Sequence, residues 1–575
     1  MRILLLCSAF NGLCQRVWLE LRAAGHDVSV EFAISEELMR TAVELVSPDL
    51  ILCPFLRERI PADIWSRHRA VILHPGPVGD RGPSSLDWAI AEAEPVWGVT
   101  ALQAVEDMDA GPVWGTRAFE IPADPPRKST LYNGPVADAA VELALEVVRN
   151  AADPTFSPTP LEHRTDAWGT LRPTMRQADR EFSWTASTEE ILRRVRAADG
   201  APGVRTTLDG VTVSVFDARP GTASTGEPGT IVERRRDELL VRTGDGALWI
   251  GHARVKGSVK LPAAVALAHH VVNVPSSPEP GWSETSPDDD IHYRRVGDVG
   301  VVSFDFYNGA MSTTQCERLA AALRHASDQD TKVLLLRGGE AFSNGLNLNV
   351  IDTAEDPAGE AWRNINAIDD VCRTIITCTH QLVVASVAGN AGAGGVMLAL
   401  GADRVVVRAG VVLNPHYLTM GLTGSEYWTY VLPRRVGELQ AWSITESCLP
   451  MSAADAVRTG LADEVIGGEP AEFEAAVLRY AERLAADSGR EELLTGKQTR
   501  RAEDERHRPL ETYRTMELAE MCRDIFDDRR GFAAKRHAFV TKQKPIATPP
   551  HLAPQRGVRF ATPSAVAVDT GRLVV

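Results

Sequence analysis

The stretch that decides the fold of this chain is VVASVAGNAGAGGVMLAL, residues 383–400. Its apolar run is broken by four glycines and Asn390, and the charged pair Asp403-Arg404 follows it closely. A helix that spans a lipid bilayer is not expected from a run interrupted in this way. A buried strand, a glycine turn and a buried helix account for the pattern better. The stretch therefore predicts an α/β domain in the second half of the chain.

Length and composition are typical of a multidomain soluble protein. Domains usually hold about 100–200 residues, so a chain of 575 residues predicts three or four of them. The net charge is −16 and no basic cluster is apparent, which argues against a nucleic-acid partner. The apolar start MRILLLCSAF is too short for a secretory segment, and no membrane span is expected. We therefore predict a cytoplasmic protein.

The cysteines carry no signature of a metal site or a disulfide framework. Eight cysteines are scattered along the sequence, and no two of them form a C-x-x-C pair. Structural zinc sites and disulfide frameworks usually show closer or more regular spacing. We therefore expect reduced thiols and no bound metal.

Short apolar runs alternate with helical patterns at the start of the chain. The runs cover residues 2–8, 28–33, 49–55 and 70–74, and helical segments lie between them. Such alternation predicts a parallel sheet with crossover helices. The first run leads into Ser8-Ala9-Phe10-Asn11-Gly12 and not into a G-x-G-x-x-G turn, so a dinucleotide site is not supported.

Changes in composition and in hydrophobic pattern divide the rest of the chain and predict an α/β multidomain fold. Short strands with Asp-Gly turns predict a small β-rich module similar to an OB-type barrel. A segment rich in Pro, Ser and Asp predicts a linker, and a new α/β unit follows it. The predicted boundaries are 1–165 for the parallel-sheet domain, 166–273 for the β-rich module, 274–291 for the linker, 292–547 for the second α/β domain with its C-terminal helices, and 548–575 for an extended tail.

Two residues of the first domain have the chemistry that formyl transfer needs. When a formyl group moves from an N-formyl amide to a nucleophile, its carbonyl oxygen becomes an oxyanion. A His that donates a hydrogen bond and an Asp that shuttles a proton serve this step. His74 follows the strand at 71–73 and Asp109 follows the strand at 99–105, so both are expected to face one crevice. The alternative is a turn histidine and a turn-forming aspartate.

Longer motifs around these residues resemble the 10-formyltetrahydrofolate-dependent formyltransferase family, from residue 1 to about residue 270. They are Ile72-Leu73-His74, Asp80-Arg81-Gly82-Pro83-Ser84-Ser85, Gly98-Val99-Thr100 and Met108-Asp109-Ala110-Gly111. The resemblance implies catalytic roles for His74 and Asp109. It implies that Ile72, Arg81 and Ser84 neighbour the folate and formyl group, with Gln15 at the cleft mouth.

Ile72 is the main departure from the formyltransferase pattern, because that family carries an Asn at this position. The replacement removes an oxyanion donor, and such a donor is elsewhere worth roughly 3–4 kcal/mol. Formylation of an ordinary amine is therefore not the expected reaction. A thiol acceptor reacts as its thiolate, which is intrinsically more nucleophilic than an amine. We therefore hypothesise that formyl transfer to a thiol tolerates the loss of the Asn donor.

The stretch at 383–400 and a second glycine loop resemble the crotonase (enoyl-CoA hydratase/isomerase) superfamily. The loops are Phe342-Ser343-Asn344-Gly345-Leu346-Asn347-Leu348 and Ala388-Gly389-Asn390-Ala391-Gly392-Ala393-Gly394-Gly395. Thioester chemistry on CoA needs two backbone N–H groups aimed at the carbonyl oxygen. The resemblance implies that these are the N–H groups of Leu346 and Gly394. Met397 and Tyr417 stand where hydratases carry glutamates, so addition of water is not expected.

Polar residues near this second site offer a different acid–base pair. Asn414-Pro415-His416-Tyr417 is followed by Gly424-Ser425-Glu426-Tyr427-Trp428, and Tyr417 and Glu426 are the polar residues placed to serve. The alternative is structural: His416 and Tyr417 pack in a strand-to-loop corner, and Glu426 caps a helix start.

The two halves together closely resemble the HypX (HoxX) family of nickel–iron hydrogenase maturation proteins. The motifs that carry the resemblance are HPGPVGDRGPSSLDWAI at 74–90 and LNPHYLTMGLTGSEYWTYVLPRRVG at 413–437. It implies that a formyl group passes from 10-formyltetrahydrofolate to coenzyme A, and that formyl-CoA then loses carbon monoxide, the ligand of the hydrogenase iron. It also implies hydrogenase maturation proteins or the large-subunit precursor as partners.

The resemblance suggests roles for further residues. Glu426 as base and Tyr417 as acid would remove the formyl proton and return a proton to sulfur. Basic residues would hold the CoA phosphates as charge-assisted partners. The candidates are Arg127, Lys128, Arg536, Lys542 and Arg556, and the alternative for each is a solvated surface charge.

Two other functions stay open from the sequence. One is a formyltransferase that acts on another acceptor and uses the crotonase-like half to dock CoA. The other is a non-catalytic assembly factor whose halves bind ligands and recruit hydrogenase precursors. Replacement of His74 by Ala separates the enzymes from the assembly factor, because only an enzyme would lose formyl consumption.

Overall fold

The computed structural model describes residues 1–223, 225–278, 281–282 and 289–556. Its first domain is built on a sheet whose strand order is 2-1-3-4-5-6 in chain numbering. The strands are β1 (Arg2–Cys7), β2 (Asp27–Phe32), β3 (Leu50–Cys53), β4 (Ala70–His74), β5 (Val96–Gln103) and β6 (Val113–Glu120). The helices are α1 (Gly12–Ala23), α2 (Glu36–Val46), α3 (Ala62–Trp65), α4 (Ser85–Ala91), α5 (Lys128–Leu131) and α6 (Ala137–Ala152).

The first sheet is mixed, whereas the alternation of strands and helices predicted a parallel sheet. Strands β1 to β4 pair in parallel, but β5 pairs antiparallel with β4, and β6 pairs antiparallel with β5. The register places His74 opposite Thr100 and Val71 opposite Gln103. The end of β5 therefore lies near the start of β4, and the loop that follows must turn back to bring Asp109 to His74.

The second module is an antiparallel sheet, which confirms the prediction of a β-rich unit. Its strand order is 7-8-11-10-9 in chain numbering, and strand 12 pairs with strand 11 outside this order. The strands are β7 (Val204–Leu208), β8 (Val211–Gly221), β9 (Ile231–Arg235), β10 (Glu238–Arg242), β11 (Ala247–Val255) and β12 (Leu261–Pro262). The helices are α7 (Gln177–Arg180), α8 (Thr188–Ala198) and α9 (Ala263–Ala266).

The third region is an α/β domain with two sheets. One has the order 13-14-15-17-19-22 and the other the order 16-18-20-21. The strands are β13 (Ile291–Val296), β14 (Val299–Phe304), β15 (Val333–Gly338), β16 (Ala341–Ser343), β17 (Leu382–Val387), β18 (Asn390–Gly392), β19 (Arg404–Arg408), β20 (Val412–Asn414), β21 (Met451–Ser452) and β22 (Glu464–Ile466).

The helices of the third region flank both sheets and extend beyond them. They are α10 (Thr313–Ser327), α11 (Leu348–Thr353), α12 (Pro357–Thr377), α13 (Gly394–Leu400), α14 (Trp428–Val436), α15 (Glu438–Ser447), α16 (Ala453–Arg458), α17 (Pro470–Ala486), α18 (Arg490–His507), α19 (Leu510–Ile525) and α20 (Phe532–Val540). The fold-deciding stretch forms β17, a glycine turn with β18, and the fully buried helix α13, as its pattern predicts.

The expected linker and tail lie partly outside the described residues. Of the interval 274–291, residues 279–280 and 283–288 are not described, and its last residue, Ile291, begins β13 and is buried. Of the tail 548–575, residues 548–556 are described and lie along the edge strand β2. The Leu552 carbonyl accepts from the Val30 N–H at 3.2 Å, and the Thr548 hydroxyl accepts from the Phe32 N–H at 2.9 Å.

The first and third domains pack tightly on each other. The start of α1 lies against the glycine turn, since a side chain at Gly12 would stand 3.0 Å from Asn390 Nδ2. Val412 of β20 is buried in the core of the first domain. Arg127 donates to Glu340 at 3.0 Å across the same boundary. No helix in the described part of the chain has the length and apolar content needed to cross a bilayer.

Candidate functional site

The first candidate site is centred on His74, at the carboxyl end of β4. Its Nε2 lies 2.8 Å from Asp80 Oδ2, and its Nδ1 lies 3.6 Å from Asp109 Oδ1. Asp109 adopts a left-handed conformation (φ 54°), and its second oxygen accepts from the Gly82 N–H at 3.2 Å. A Cβ at Gly76 would stand 2.2 Å from Asp80 Oδ2, so only a glycine lets Asp80 approach the imidazole. The structure thus brings His74 and Asp109 together.

The charges around His74 favour the imidazolium form. Burial disfavours a charged imidazole, but the hydrogen bond with Asp80 and the charge of Asp109 outweigh it and raise the pKa of His74. A protonated imidazole is a strong hydrogen-bond donor to an oxyanion. This arrangement fits the role that the sequence motif predicts for His74.

The other predicted neighbours of the first site are placed less directly. Ile72 lies two residues before His74 on β4, on the same side of the strand, and packs against the apolar cluster under the sheet. The Ser84 hydroxyl accepts from the Met175 N–H at 3.1 Å. The Gln15 amide donates to the Phe10 carbonyl at 2.9 Å, within the start of α1. The roles of these residues toward a ligand stay predictions.

Arg81 and Asp80 stand in the loop that follows β4. The Arg81 N–H donates to the Thr170 carbonyl at 3.2 Å, which ties this loop to the segment that leads into the β-rich module. Asp80 is 1% exposed and was not singled out from the sequence. Its signal was an acidic residue in an otherwise apolar and glycine-rich turn, six residues after His74.

The second candidate site lies where the two glycine loops of the third domain meet. A Cβ at Gly345 (φ 75°) would stand 3.5 Å from the Gly394 nitrogen, so the loop that carries Leu346 approaches the start of α13. Asn347, which replaces an Asp of the crotonase pattern, caps α11 by accepting from the Val350 N–H at 3.2 Å. Both loops have the close approach that a pair of oxyanion N–H groups needs.

Tyr417 and Glu426 meet directly beside Gly394. The Tyr417 hydroxyl donates to Glu426 Oε2 at 3.0 Å, and that oxygen also accepts from the Ser425 N–H at 3.0 Å. A Cβ at Gly394 would stand 2.0 Å from Glu426 Oε1, and one at Gly424 would stand 2.6 Å from the Tyr417 ring. Glycine at both positions is therefore required for this pair to form.

The structure contradicts the alternative prediction that Glu426 caps the start of a helix. Glu426 lies two residues before α14, and that helix begins without a side-chain cap. Its carboxyl bonds instead to Tyr417, which is 5% exposed. His416 does have a structural bond, from its ring nitrogen Nδ1 to the Asn414 carbonyl at 2.7 Å, and burial lowers its pKa.

Burial sets the protonation of the second site. Desolvation raises the pKa of Glu426 to about 8, the nearby Asp369 adds to the rise, and the bonds from Tyr417 and Ser425 oppose it. Burial and the Glu426 charge also raise the pKa of Tyr417 well above its ordinary value. The Tyr417 hydroxyl is thus protonated at neutral pH and donates a hydrogen bond, and Glu426 is poised to gain or lose a proton.

Two further carboxyl groups surround this pair and were missed in the sequence. Asp369 lies on α12 and Glu517 on α19, and both are buried. Asp369 had a signal, because it interrupts the apolar face of α12 between Ile368 and Val371. Glu517 had none, since the helix that carries it has many exposed charged residues.

Most candidates for CoA phosphate binding already have carboxylate partners. The partners are Asp217 and Glu340 for Arg127, Asp87 for Lys128, Asp352 for Arg536 and Glu31 for Arg556. Lys542 has no ion-pair partner among the described residues and lies 4.4 Å from the Phe539 ring centre. Contact of any of these side chains with CoA stays a prediction. Within the described ranges, no group of three or more His, Cys, Asp or Glu residues is arranged to hold a metal.

Comparison with known families divides the chain as its motifs do. Residues 174–270 match the family described as formyl transferase, C-terminal domain. Residues 299–546 match the enoyl-CoA hydratase/isomerase family. The methionyl-tRNA formyltransferase of Acidiphilium cryptum is 31% identical over 194 residues, which cover 34% of this chain and 60% of that protein.

Two proteins are similar over almost the whole chain. The hydrogenase maturation factor HoxX of Bradyrhizobium diazoefficiens is 44% identical over 561 residues, which cover 97% of each protein. The crystal structure of HypX from Aquifex aeolicus in complex with tetrahydrofolic acid superposes with a TM-score of 0.93 at 40% identity. That match covers 98% of this chain and 100% of the crystallised one.

Proposed function

Because the chain belongs to the HypX/HoxX family of hydrogenase maturation factors, we propose that it makes carbon monoxide in two steps. The first step moves the formyl group of 10-formyltetrahydrofolate to the thiol of coenzyme A. The second step decarbonylates the formyl-CoA, and the carbon monoxide becomes a ligand of the hydrogenase iron. The observation that carries the second step is the Tyr417–Glu426 pair beside the Gly394 N–H.

The first step uses the site around His74. The CoA sulfur attacks the formyl carbon, and the imidazolium of His74 donates a hydrogen bond to the oxyanion that forms. Asp109 takes the thiol proton and delivers it to the folate nitrogen, and the C–N bond breaks when the oxyanion collapses to the formyl thioester. The tetrahydrofolate complex of the Aquifex aeolicus protein supports folate as the ligand.

The second step uses the site around Glu426. The N–H groups of Leu346 and Gly394 hold the formyl oxygen, and the Glu426 carboxylate removes the formyl proton. The electron pair of the C–H bond stays on carbon and becomes the lone pair of carbon monoxide, while the pair of the C–S bond leaves with sulfur. Tyr417 protonates the sulfur and recovers a proton from Glu426 through their 3.0 Å hydrogen bond.

The close packing of the two domains supports transfer of formyl-CoA between the sites. The glycine turn that leads to Gly394 approaches the start of α1, since a Cβ at Gly12 would stand 3.0 Å from Asn390 Nδ2. A formyl thioester is easily hydrolysed, and a handover that stays within one protein shields it from water. We therefore expect little free formyl-CoA during turnover.

The test is anaerobic incubation of the full chain with 10-formyltetrahydrofolate and CoA. Carbon monoxide is detected by the spectral shift of reduced haemoglobin. The proposal predicts carbon monoxide only when both substrates are present, and its loss in Tyr417→Phe with accumulation of formyl-CoA. Formyl consumption without carbon monoxide would leave a formyltransferase with a CoA-docking half. No turnover at all would favour a non-catalytic assembly factor.

A further inference from the structure

Two buried carboxyl groups hold the backbone of the segment that carries Glu426. Asp369 Oδ1 accepts from the Glu426 N–H at 2.8 Å, and both its oxygens lie 2.8 Å from the Ser425 hydroxyl. Glu517 accepts from the Tyr427 N–H at 2.9 Å and from the Thr429 N–H at 2.8 Å. Carboxyl oxygens from α12 and α19 therefore bind three of the five backbone N–H groups of residues 425–429.

This segment has an unusual backbone that needs such support. Glu426 and Tyr427 are consecutive residues in the left-handed region, with φ of 61° and 57°. Residues with a Cβ rarely adopt this conformation, and they keep it only when surrounding contacts hold it. The turn at Glu426 directs its carboxyl to Gly394, because Oε1 occupies the space that a Cβ there would need.

The surroundings of Glu426 hold many acidic groups and little positive charge. The titratable groups that face it or lie close by are the phenol of Tyr417, the carboxyls of Asp369 and Glu517, the thiols of Cys316 and Cys372, and the guanidinium of Arg514. Arg514 Nε stands 3.9 Å from Asp369 Oδ2. Burial raises the pKa of Asp369 to about 7 and that of Glu517 to about 8.

We propose that Asp369 and Glu517 are positioning residues for the decarbonylation step, which hold Glu426 against Gly394 and set how readily it releases its proton. The inference rests on the proposed function, because it assigns these residues to the second of its two steps. Neither carboxyl needs to touch the substrate. Each acts on Glu426 through the backbone bonds it accepts and through its charge.

Two substitutions of Asp369 separate its geometry from its charge. Asp369→Asn keeps an oxygen that accepts the Glu426 N–H and removes the negative charge, so it is the conservative variant. Asp369→Ala removes both the charge and the backbone bond. Asp330→Asn is the matched control, because Asp330 is an exposed residue in the loop after α10 and the substitution removes the same charge.

The experiment measures carbon monoxide release from supplied formyl-CoA by the full chain between pH 5.5 and 9.5. Wild-type kcat should rise with pH as Glu426 ionises. In Asp369→Asn the midpoint should move to lower pH by about one pH unit, because a like charge near Glu426 is gone. In Asp369→Ala kcat should fall about tenfold or more at every pH with KM for formyl-CoA unchanged, since a displaced base slows only the chemical step.

The outcomes distinguish this inference from the proposed function. If wild-type protein releases no carbon monoxide from formyl-CoA, the decarbonylation and this inference both fail. If the wild type is active and Asp369→Ala, Asp369→Asn and Glu517→Gln all have the pH profile and kcat of Asp330→Asn, only this inference is overturned. If Asp369→Ala does not fold, the shift of the pH midpoint of kcat in Asp369→Asn still tests whether Asp369 acts on Glu426.

Discussion

The His74 site and the Glu426 site both bury carboxyl groups, yet their surroundings have opposite effects on the group at the centre. The first site favours a charged imidazole, and the second favours a neutral carboxyl. In the first, Asp80 and Asp109 flank an imidazole within 2.8 and 3.6 Å and favour its charged form. In the second, Asp369 and Glu517 surround another carboxyl, and burial favours the protonated forms. Burial costs a charged group its solvation, and an opposite charge or a hydrogen bond to the charged form compensates for that cost.

The difference fits the two steps that we propose. A charged His74 stabilises the oxyanion of formyl transfer, where a strong hydrogen-bond donor is needed. A carboxyl with a raised pKa is a stronger base once ionised, and removal of a formyl proton needs such a base.

Crossed substitutions should separate the two sites most sharply. Glu426→Gln should reduce carbon monoxide release from formyl-CoA by about 10²–10⁴-fold, because an amide cannot accept the formyl proton. The same variant should keep the transfer of formyl from folate to CoA. His74→Ala should show the reverse pattern with the same two assays. Loss of both reactions in both variants would contradict two independent sites.

Substitution of Gly394 should damage only the second site. A Cβ at this position would stand 2.0 Å from Glu426 Oε1, so Gly394→Ala must displace the carboxyl or the oxyanion N–H. We expect a decrease in decarbonylation of about 10²–10³-fold, the size of a lost oxyanion donor. Gly467→Ala is the control, since a Cβ there meets nothing within 4 Å. Equal rates in both variants would show that Glu426 does not occupy this space during turnover.

Removal of the Asp80 charge should change how formyl transfer depends on pH. Asp80 raises the pKa of His74, so the imidazolium persists to higher pH and is lost as pH rises through that raised value. Asp80→Asn should bring this loss to lower pH. Above the wild-type midpoint, the variant should be slower than the wild type by about tenfold for each pH unit by which the midpoint has moved. Formyl transfer measured across pH tests this, with Asp107→Asn, at an exposed residue, as control. An unchanged profile in Asp80→Asn would rule out its influence on His74.

The buried carboxyls of the second site should make the protein less stable as pH rises. The folded state holds protons on Asp369, Glu426 and Glu517 that the unfolded chain releases near pH 4. The free energy of unfolding should therefore fall from about pH 4 to about pH 8 and level off above that. Glu517→Gln should lose less stability over this interval in thermal unfolding than the matched surface variant Glu520→Gln. Equal slopes would show that Glu517 is not protonated in the fold.

Some features of the fold could be predicted from sequence and others could not. The stretch at 383–400 forms the predicted strand, turn and helix, because continuous apolar runs and glycine breaks are local signals. The reversed direction of β5 and β6 was not predicted, since an apolar run carries no information about strand direction. The contact of residues 548–556 with β2 joins opposite ends of the chain, whereas the sequence predicted only an extended tail.

The sequence by itself determined the motifs of the two candidate sites, which hold His74, Asp109, Leu346, Gly394, Tyr417 and Glu426. The tertiary structure decided how those residues are held and charged. Asp369 and Glu517 lie 57 and 91 positions from Glu426 in the chain, and only packing of α12 and α19 brings them to it. Protonation depends on solvent exclusion and on neighbouring charges, which are properties of the folded interior and not of any local motif.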